Sequence, residues 1–561
     1  MTFGSRNIFA VVFHYLDCYT KKPEQVCLGL VEIRGEGGST GGKWVAASLK
    51  EVLDKWPGLE QKIVAHVSDG GSNLKTLRVE FDRLQKPTLR NLDVRFVGDC
   101  YCHVINGAIG GAFKNENVAG PGNLSGGYSI TRLHRKLVSV VCWITKSSPA
   151  RSIWDKLCEE EHKTKRLPRS PVATRMASKA VFYQDFITYK SVYNRFLTAE
   201  RLPKGPADKH LEFALSGHDW DVVQTMIDVT KKPTELCFLA QTKGYYFLSD
   251  AIIATMDIGM SAAKLKAAVA RERGGAVASI SGKLIFGAGP DAEIKELKWN
   301  MTKFISDYVN EKLKWVFEFD KAKAHNYLAL ILDPRFKDLS MLVEYSVCMR
   351  KQSPDDVFKL YEDFLLELAQ DLWFHAHGDE TVEPVEEIPF NAHARHRPTI
   401  QTSRDVLGAE IAAELDRFLK LHVKEVVTDP SAWWAVHGAE FHHLALVFEL
   451  VGGIPGSEID VERLFSTCGI FTAHRRCNMG TEMLDMLVFI NKNWPDVSRA
   501  DIQATTAAEA SVPSPLKAFV ELEDTLFQQV LDLKKDQGSD PLAALELLLT
   551  DDGESTPQSY E

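Results

Sequence analysis

Apolar and polar positions alternate most clearly at the start of the chain. Ile8 to Leu16 (IFAVVFHYL) and Val26 to Ile33 (VCLGLVEI) are rich in β-branched and aromatic residues, and the turn-forming Asp17 to Pro23 lies between them. The pattern predicts an antiparallel hairpin. In Lys43 to Trp56 the period changes to that of a helix, with Trp44, Ala47, Leu49, Val52, Leu53 and Trp56 placed on one face. Lys62 to Val67 predicts a further strand ending at Ser68-Asp69, a second helix follows from Ser72, and Val94 to Val97 gives a short strand before CYCH. Strand, strand, helix, strand, helix, strand is therefore the expected order.

Beyond Gly107 the pattern loosens into a glycine-rich loop, AGPGNLSGGY, and a basic helical stretch. Thr174 to Trp373 is almost wholly helical in period, Gly378 to Pro398 reads as an acidic and then His- and Pro-bearing linker, and Ser403 to Trp494 is helical again. The residues after Gln537 are acidic and polar and are expected to be disordered. The resulting divisions are 1–130, 131–377, a linker at 378–402, 403–500 and a tail at 501–561. No solenoid repeat or long heptad run is present.

Composition narrows the class. In 561 residues, 45% hydrophobic and 25% charged, the chain can build several ordinary cores, and its formal charge is −10. Ten cysteines without a CxxC pair or a secretory leader indicate free thiols in a reducing compartment, nuclear or cytoplasmic and not secreted. Ile8 to Leu16 falls far short of the ~20 apolar residues that cross a bilayer. Against the acidic whole, Arg132 to Arg175 carries eleven Lys/Arg and four Asp/Glu, a local +7 that includes Arg132, Arg135 and Lys136. Such a patch can meet phosphates; a solvated helix face explains the same charges.

Several residues could carry chemistry. Asp69, at a strand end in HVSDGGSN, suits a hard-metal ligand and equally a helix N-cap. Cys100 and His103 in CYCH supply two ligands where a structural zinc needs four, so packing at a strand-to-helix corner is the simpler role. Glu462 precedes the apolar Leu464, Phe465 and Cys468. The run GEGGSTGG lacks GKS or GKT and reads as a turn. His375, His377, His393 and His396 lie loosely around the acidic linker, a surface group and not a zinc site.

Read in order, HVSDGGSN, CYCHVINGAI, VATRMAS, HDWDVVQTMIDVTKKPTE, LALILDPRFK, SAWWAVHG and VERLFSTCGIFTAHRRCNMGTEMLDMLVFINKNW resemble the hAT transposase superfamily from Ile8 to Trp494. The resemblance implies an α+β, mostly α chain: an RNase H-like mixed sheet interrupted by a large helical insertion, with a C-terminal dimerisation region. It implies that Asp69 and Glu462 are the second and third carboxylates of a site for two Mg²⁺ or Mn²⁺ ions. Cys100 and His103 correspond to a Cys-x-x-His element, and Arg175 and Met176 to a DNA-contacting TRW-type motif. Trp433, Trp434, Leu464, Phe465, Leu487 and Phe489 fall in the dimerisation block, so a homodimer or higher oligomer is expected, with DNA as a further partner and no membrane.

Three departures bear on activity. The family's first catalytic Asp lies on a strand just upstream of the hairpin, and MTFGSRN contains no acid; Asp17 sits at the opposite end, in the turn. Met176 stands where the family has a base-stacking Trp, and stacking of that kind is worth about 1 to 3 kcal/mol per base. No zinc finger of the BED type is seen. The expected function is that of a non-catalytic, transposase-derived protein, a relic or a domesticated descendant. The alternative is a fragment of an active cut-and-paste transposase, as from an incomplete gene model.

Overall fold

The computed structural model describes residues 2–3, 6–17, 20–32, 42–59, 62–68, 96–114, 130–170, 177–199, 213–242, 245–271, 290–350, 353–377, 403–423, 426–471 and 481–493. Two compact units divide the chain, one taking 1–95 and 458–561 and the other 96–457. The divisions fall at Phe96 and Glu458, whereas the sequence pattern placed them at 131 and 403.

The first unit holds strands β1 (Thr2–Phe3), β2 (Arg6–Leu16) and β3 (Pro23–Glu32) in an antiparallel sheet of that order. Helix α1 spans Gly42–Asp54 and strand β4 Ala65–Ser68. Alternation along β2 separates two cores. Ile8 and Ala10 face Leu464, Cys468, Leu484, Leu487 and Val488 of the two C-terminal helices. Phe9, Val11 and Phe13 face Val45, Leu49, Val52 and Leu53 of α1. Along α1 the buried stripe is thus Val45, Leu49, Val52 and Leu53, while Trp44 is only half-buried and Ala47 exposed. The i, i+4, i+7, i+8 spacing wins because it keeps the four β-branched or leucine side chains on one line.

On β3 the alternation breaks. Leu28 belongs to the core under α1 and Leu30, two residues on, to the opposite core. A register shift between Val11 and Val12 accounts for it: Val11 pairs with Gly29 and Val12 with Cys27, leaving Leu28 as the extra residue of a bulge. Gly29 has φ +153°, a conformation that L side chains rarely adopt.

The second unit begins with β5 (Phe96–Asp99) and is otherwise helical: α2 Tyr101–Lys114, α3 Ile130–Lys146, α4 Ser148–Glu160, α5 Ala177–Thr188 and α6 Lys190–Leu197. Long helices follow, α7 Gly217–Thr242, α8 Leu248–Arg271 and α9 Pro290–Lys312. Then come α10 Ala324–Ile331, α11 Ser340–Arg350, α12 Asp355–His377, α13 Ser403–Lys420, α14 Pro430–His437 and α15 His442–Val451. Helices α16 (Ile459–Phe471) and α17 (Thr481–Asn493) return to the first unit. The chain is mostly helical, as its period indicated. Among the described residues no helix is long and apolar enough to cross a membrane, and the described cysteines are free thiols.

Close packing in the second unit explains the glycines of INGAIGGAF. A Cβ at Gly111 would overlap the Phe304 ring, and one at Gly107 the Tyr308 ring. Those two rings, one turn apart on α9, stack with centroids 5.9 Å apart and fill the groove that the two glycines leave on α2.

Candidate dimerisation region and its anchors

The LDPRFK segment holds the end of α13 and helix α14. Asp333, 1% exposed, accepts from Ser249 Oγ at 2.7 Å, from the Arg335 backbone N–H at 2.9 Å and from Arg335 Nη2 at 2.7 Å. The Arg335 guanidinium also reaches Asp250, 3.0 Å away on α8. Lys337 is buried; its ammonium donates to the Phe418 carbonyl and, at 2.6 Å, to the Leu421 carbonyl, and it lies over the Phe418 ring. Both carbonyls lie at the end of α13, where that of Phe418 also takes the Leu421 N–H at 3.2 Å, so Lys337 acts as a C-terminal cap. Burial pushes the Lys337 ammonium below its ordinary pKa, with Asp338 opposing. From the neighbouring Leu332, the carbonyl accepts the Trp434 indole N–H at 2.8 Å.

Helix α14 starts at an Asp429 N-cap whose carboxylate accepts the N–H groups of Ser431 and Ala432. It sends Trp433 and Trp434 inward, where they meet Phe418 of α13, and Trp434 stacks on Phe448 of α15 at 5.1 Å. Helix α15 lacks a side-chain cap of its own, since its N-cap residue is Phe441. Glu414 of α13 supplies one across space: Oε1 accepts the Leu444 N–H at 2.9 Å, and Oε2 lies 2.7 Å from His443 Nδ1.

In the first unit α17 is joined to the hairpin by two polar side chains. The Asn493 amide pairs with both backbone groups of Cys27, accepting its N–H at 3.0 Å and donating to its carbonyl at 2.9 Å, much as a neighbouring strand would. Asp485 Oδ1 accepts the Leu30 N–H at 2.5 Å. Burial raises the Asp485 pKa, with the Leu30 N–H and Lys55 opposing. The same carboxylate, after burial itself, helps push the Cys27 and Cys468 thiols up to about 12, so both are inert neutral core groups.

Residues 414–494 match the hAT family C-terminal dimerisation region. A search of curated proteins finds none that matches the chain. The hAT region thus takes in the end of α13, α14 and α15 in one unit and α16 and α17 in the other.

The residues expected to anchor a dimer are placed differently from that expectation. Trp433, Trp434, Leu464, Leu487 and Phe489 are buried inside the protomer, and Phe465 packs partly buried against the core of the first unit. Large apolar side chains on these short helices had a sheet face and a helical groove to cover within one chain, and among the described residues of 414–494 no Phe, Tyr or Trp is left exposed. Apolar side chains of the hAT region that do face solvent are Val426, 91% exposed, and Val436, 75% exposed.

Asp69 lies outside the described residues, as do Arg175, Met176, His393 and His396; it follows β4 directly in sequence. Glu462 is on α16, and its side chain is outside the description. Cys100 and His103 sit at the corner between β5 and α2, with Sγ and Nδ1 3.3 Å apart. That helix starts at Tyr101, so the pair spans its first turn.

Six bases of the basic stretch are paired with acids where it is described. Arg151 pairs with Asp155, Lys156 with Glu160, Lys163 with Glu161 and Lys165 with Glu159. Arg166 and Arg169 both grip Asp185, at 3.0 and 2.9 Å. Burial would push the Asp185 carboxyl up; the hydrogen bonds from Arg169 and Arg166 outweigh it and hold the group below the ordinary range. A cleft of about 530 Å³ beside α4 is lined by Ser148, Arg151, Asp155, Lys156, Glu159 and Lys165, three bases against two acids. Arg132, Arg135 and Lys136 stand on α3, where Lys136 reaches the Ala214 carbonyl at 3.5 Å.

Glu414, Lys337, Asp485 and Asn493 are absent from the sequence reading. One signal was available for Glu414: Ile411, Leu415 and Phe418 are buried, and 411, 414, 415 and 418 form a single helical stripe, so a carboxylate at 414 had to be inside and partnered.

Proposed function

We propose that this is a hAT transposase-derived protein that self-associates through residues 414–494 and does not cut DNA. The match of those residues to a dimerisation region carries the reading. Support for an RNase H-like first unit comes from its antiparallel sheet with α1 against one face of the hairpin and α16 and α17 against the other. Support for loss of catalysis comes from Met176, which stands where the resemblance has a base-stacking Trp. Nucleic-acid contact would rest on the basic stretch, in which Arg132, Arg135 and Lys136 share helix α3.

Light scattering of the full chain at micromolar concentration tests the reading. A dimer or larger species is expected; a monomer near 63 kDa at tens of micromolar overturns it. Incubation with supercoiled DNA and Mg²⁺ or Mn²⁺ tests the second part. No nicking is expected, and nicking abolished by Asp69→Ala would favour an active transposase fragment instead.

A further inference from the structure

Helix α15 opens with two adjacent histidines, and both turn to the same buried carboxylate. His443 Nδ1 is 2.7 Å from Glu414 Oε2, and His442 Nδ1 is 3.8 Å from the same oxygen. The two imidazole rings lie 4.0 Å apart, and the Trp373 ring of α12 covers them, 4.6 Å from His443 and 5.3 Å from His442. Glu414 is 2% exposed and His443 4%. All three ligand atoms fall within 4.8 Å of one another.

Capping alone explains only part of this arrangement. The Leu444 N–H and His443 satisfy the carboxylate, which accounts for two of the three residues. His442 is half exposed on its outer side and could solvate its ring freely, yet its nitrogen converges on the site.

We propose that Glu414, His442 and His443 bind a zinc ion that ties α13 to α15. Two imidazoles and one carboxylate are a zinc donor set, leaving a fourth position for water. With bonds of about 2.0 to 2.1 Å, tetrahedral ligand atoms stand roughly 3.3 Å apart. The observed 2.7 and 3.8 Å straddle that value. On binding, the proton that His443 Nδ1 donates to Glu414 shifts to Nε2 through solvent, and the neutral ring presents its Nδ1 lone pair. Oε1 keeps the Leu444 N–H, so the cap survives and the ion is anchored to the helix start.

Titration of the metal-free full chain with Zn²⁺ by calorimetry tests the site, with Co²⁺ as a spectroscopic probe. Saturable binding is expected, together with a rise in Tm and a visible Co²⁺ absorption of low-symmetry, four-coordinate type. His442→Ala removes the exposed ligand and should leave the metal-free Tm unchanged, while weakening Zn²⁺ binding at least tenfold and abolishing the Co²⁺ band. His375→Ala should change neither. Failure of the wild-type chain to bind either ion, or equal binding by His442→Ala, overturns the proposal. His443→Gln, which keeps a hydrogen bond to Glu414, serves as a second variant and should lose the metal response as well.

Discussion

Asp485 lies over Gly29. Its carboxylate oxygen would stand 3.4 Å from a Cβ at that glycine and accepts the N–H of the next residue, Leu30, at 2.5 Å. The bulge, the glycine and the acid form one device: the bulge turns Leu28 and Leu30 to opposite cores, and the N–H it exposes needs an acceptor, which α17 provides.

Removing that acceptor by Asp485→Ala should destabilise the chain by about 1 to 3 kcal/mol, the usual cost of an orphaned buried donor. Asp485→Asn should cost less, since its amide oxygen can still accept. The pH dependence separates them further. A carboxyl whose folded pKa is raised contributes stability in full below its ordinary value and loses it as pH rises through the raised one. Urea midpoints measured from pH 4 to 8 should therefore fall with rising pH in the native chain more steeply than in Asp485→Asn.

His325 gives the opposite slope. It is wholly buried in α10, and burial, aided by Lys323, lowers its pKa from 6.5 to about 3. The unfolded chain therefore binds a proton there before the folded one does, and stability is lost as pH falls from 6.5 toward 3. Acid titrations of unfolding should show a shallower loss in His325→Phe. Identical slopes would mean that the ring titrates alike in the folded and unfolded chains.

Lys337→Met keeps much of the side-chain volume and removes the cap on α13. Destabilisation by about 1 to 3 kcal/mol is expected by thermal melting, with added hydrogen exchange at residues 415–420. Unchanged exchange there would mean that water replaces the ammonium.

Assembly and folding should separate within the hAT region. Trp434→Ala empties a buried site and should cost about 3 to 5 kcal/mol. Val436→Asp, on the exposed side of the same short helix, should leave Tm within about 0.5 kcal/mol equivalent while weakening self-association. Light scattering and melting on both variants decide it; a Val436→Asp chain that assembles as before would move the interface elsewhere in residues 414–494.

Periodicity made the hairpin and α1 legible to within a few residues at each end, because alternation and the 3.6 repeat are written in the order of side chains. The residues that lock the cores were not. Glu414, Lys337, Asp485 and Asn493 each satisfy backbone groups 30 to 466 positions away, and nothing local marks an N–H or carbonyl as an orphan. The aromatic pair Trp433 and Trp434 was visible as important, but whether such residues face a partner or their own chain depends on the groove between α13 and α15, which only the fold creates. One acid paired with the basic stretch was out of sight for a related reason: Asp185 lies outside the window that was counted.

The pairing of Leu30 with Asp485 sets a clock on synthesis. The 455 positions between them take roughly 25 to 90 s to translate at about 5 to 20 residues per second. For that interval α1 can already cover one face of the hairpin, while Ile8, Ala10 and Leu30 on the other wait for α16 and α17. A nascent chain stalled before residue 458 therefore carries an open apolar strand face and is a natural client for a chaperone.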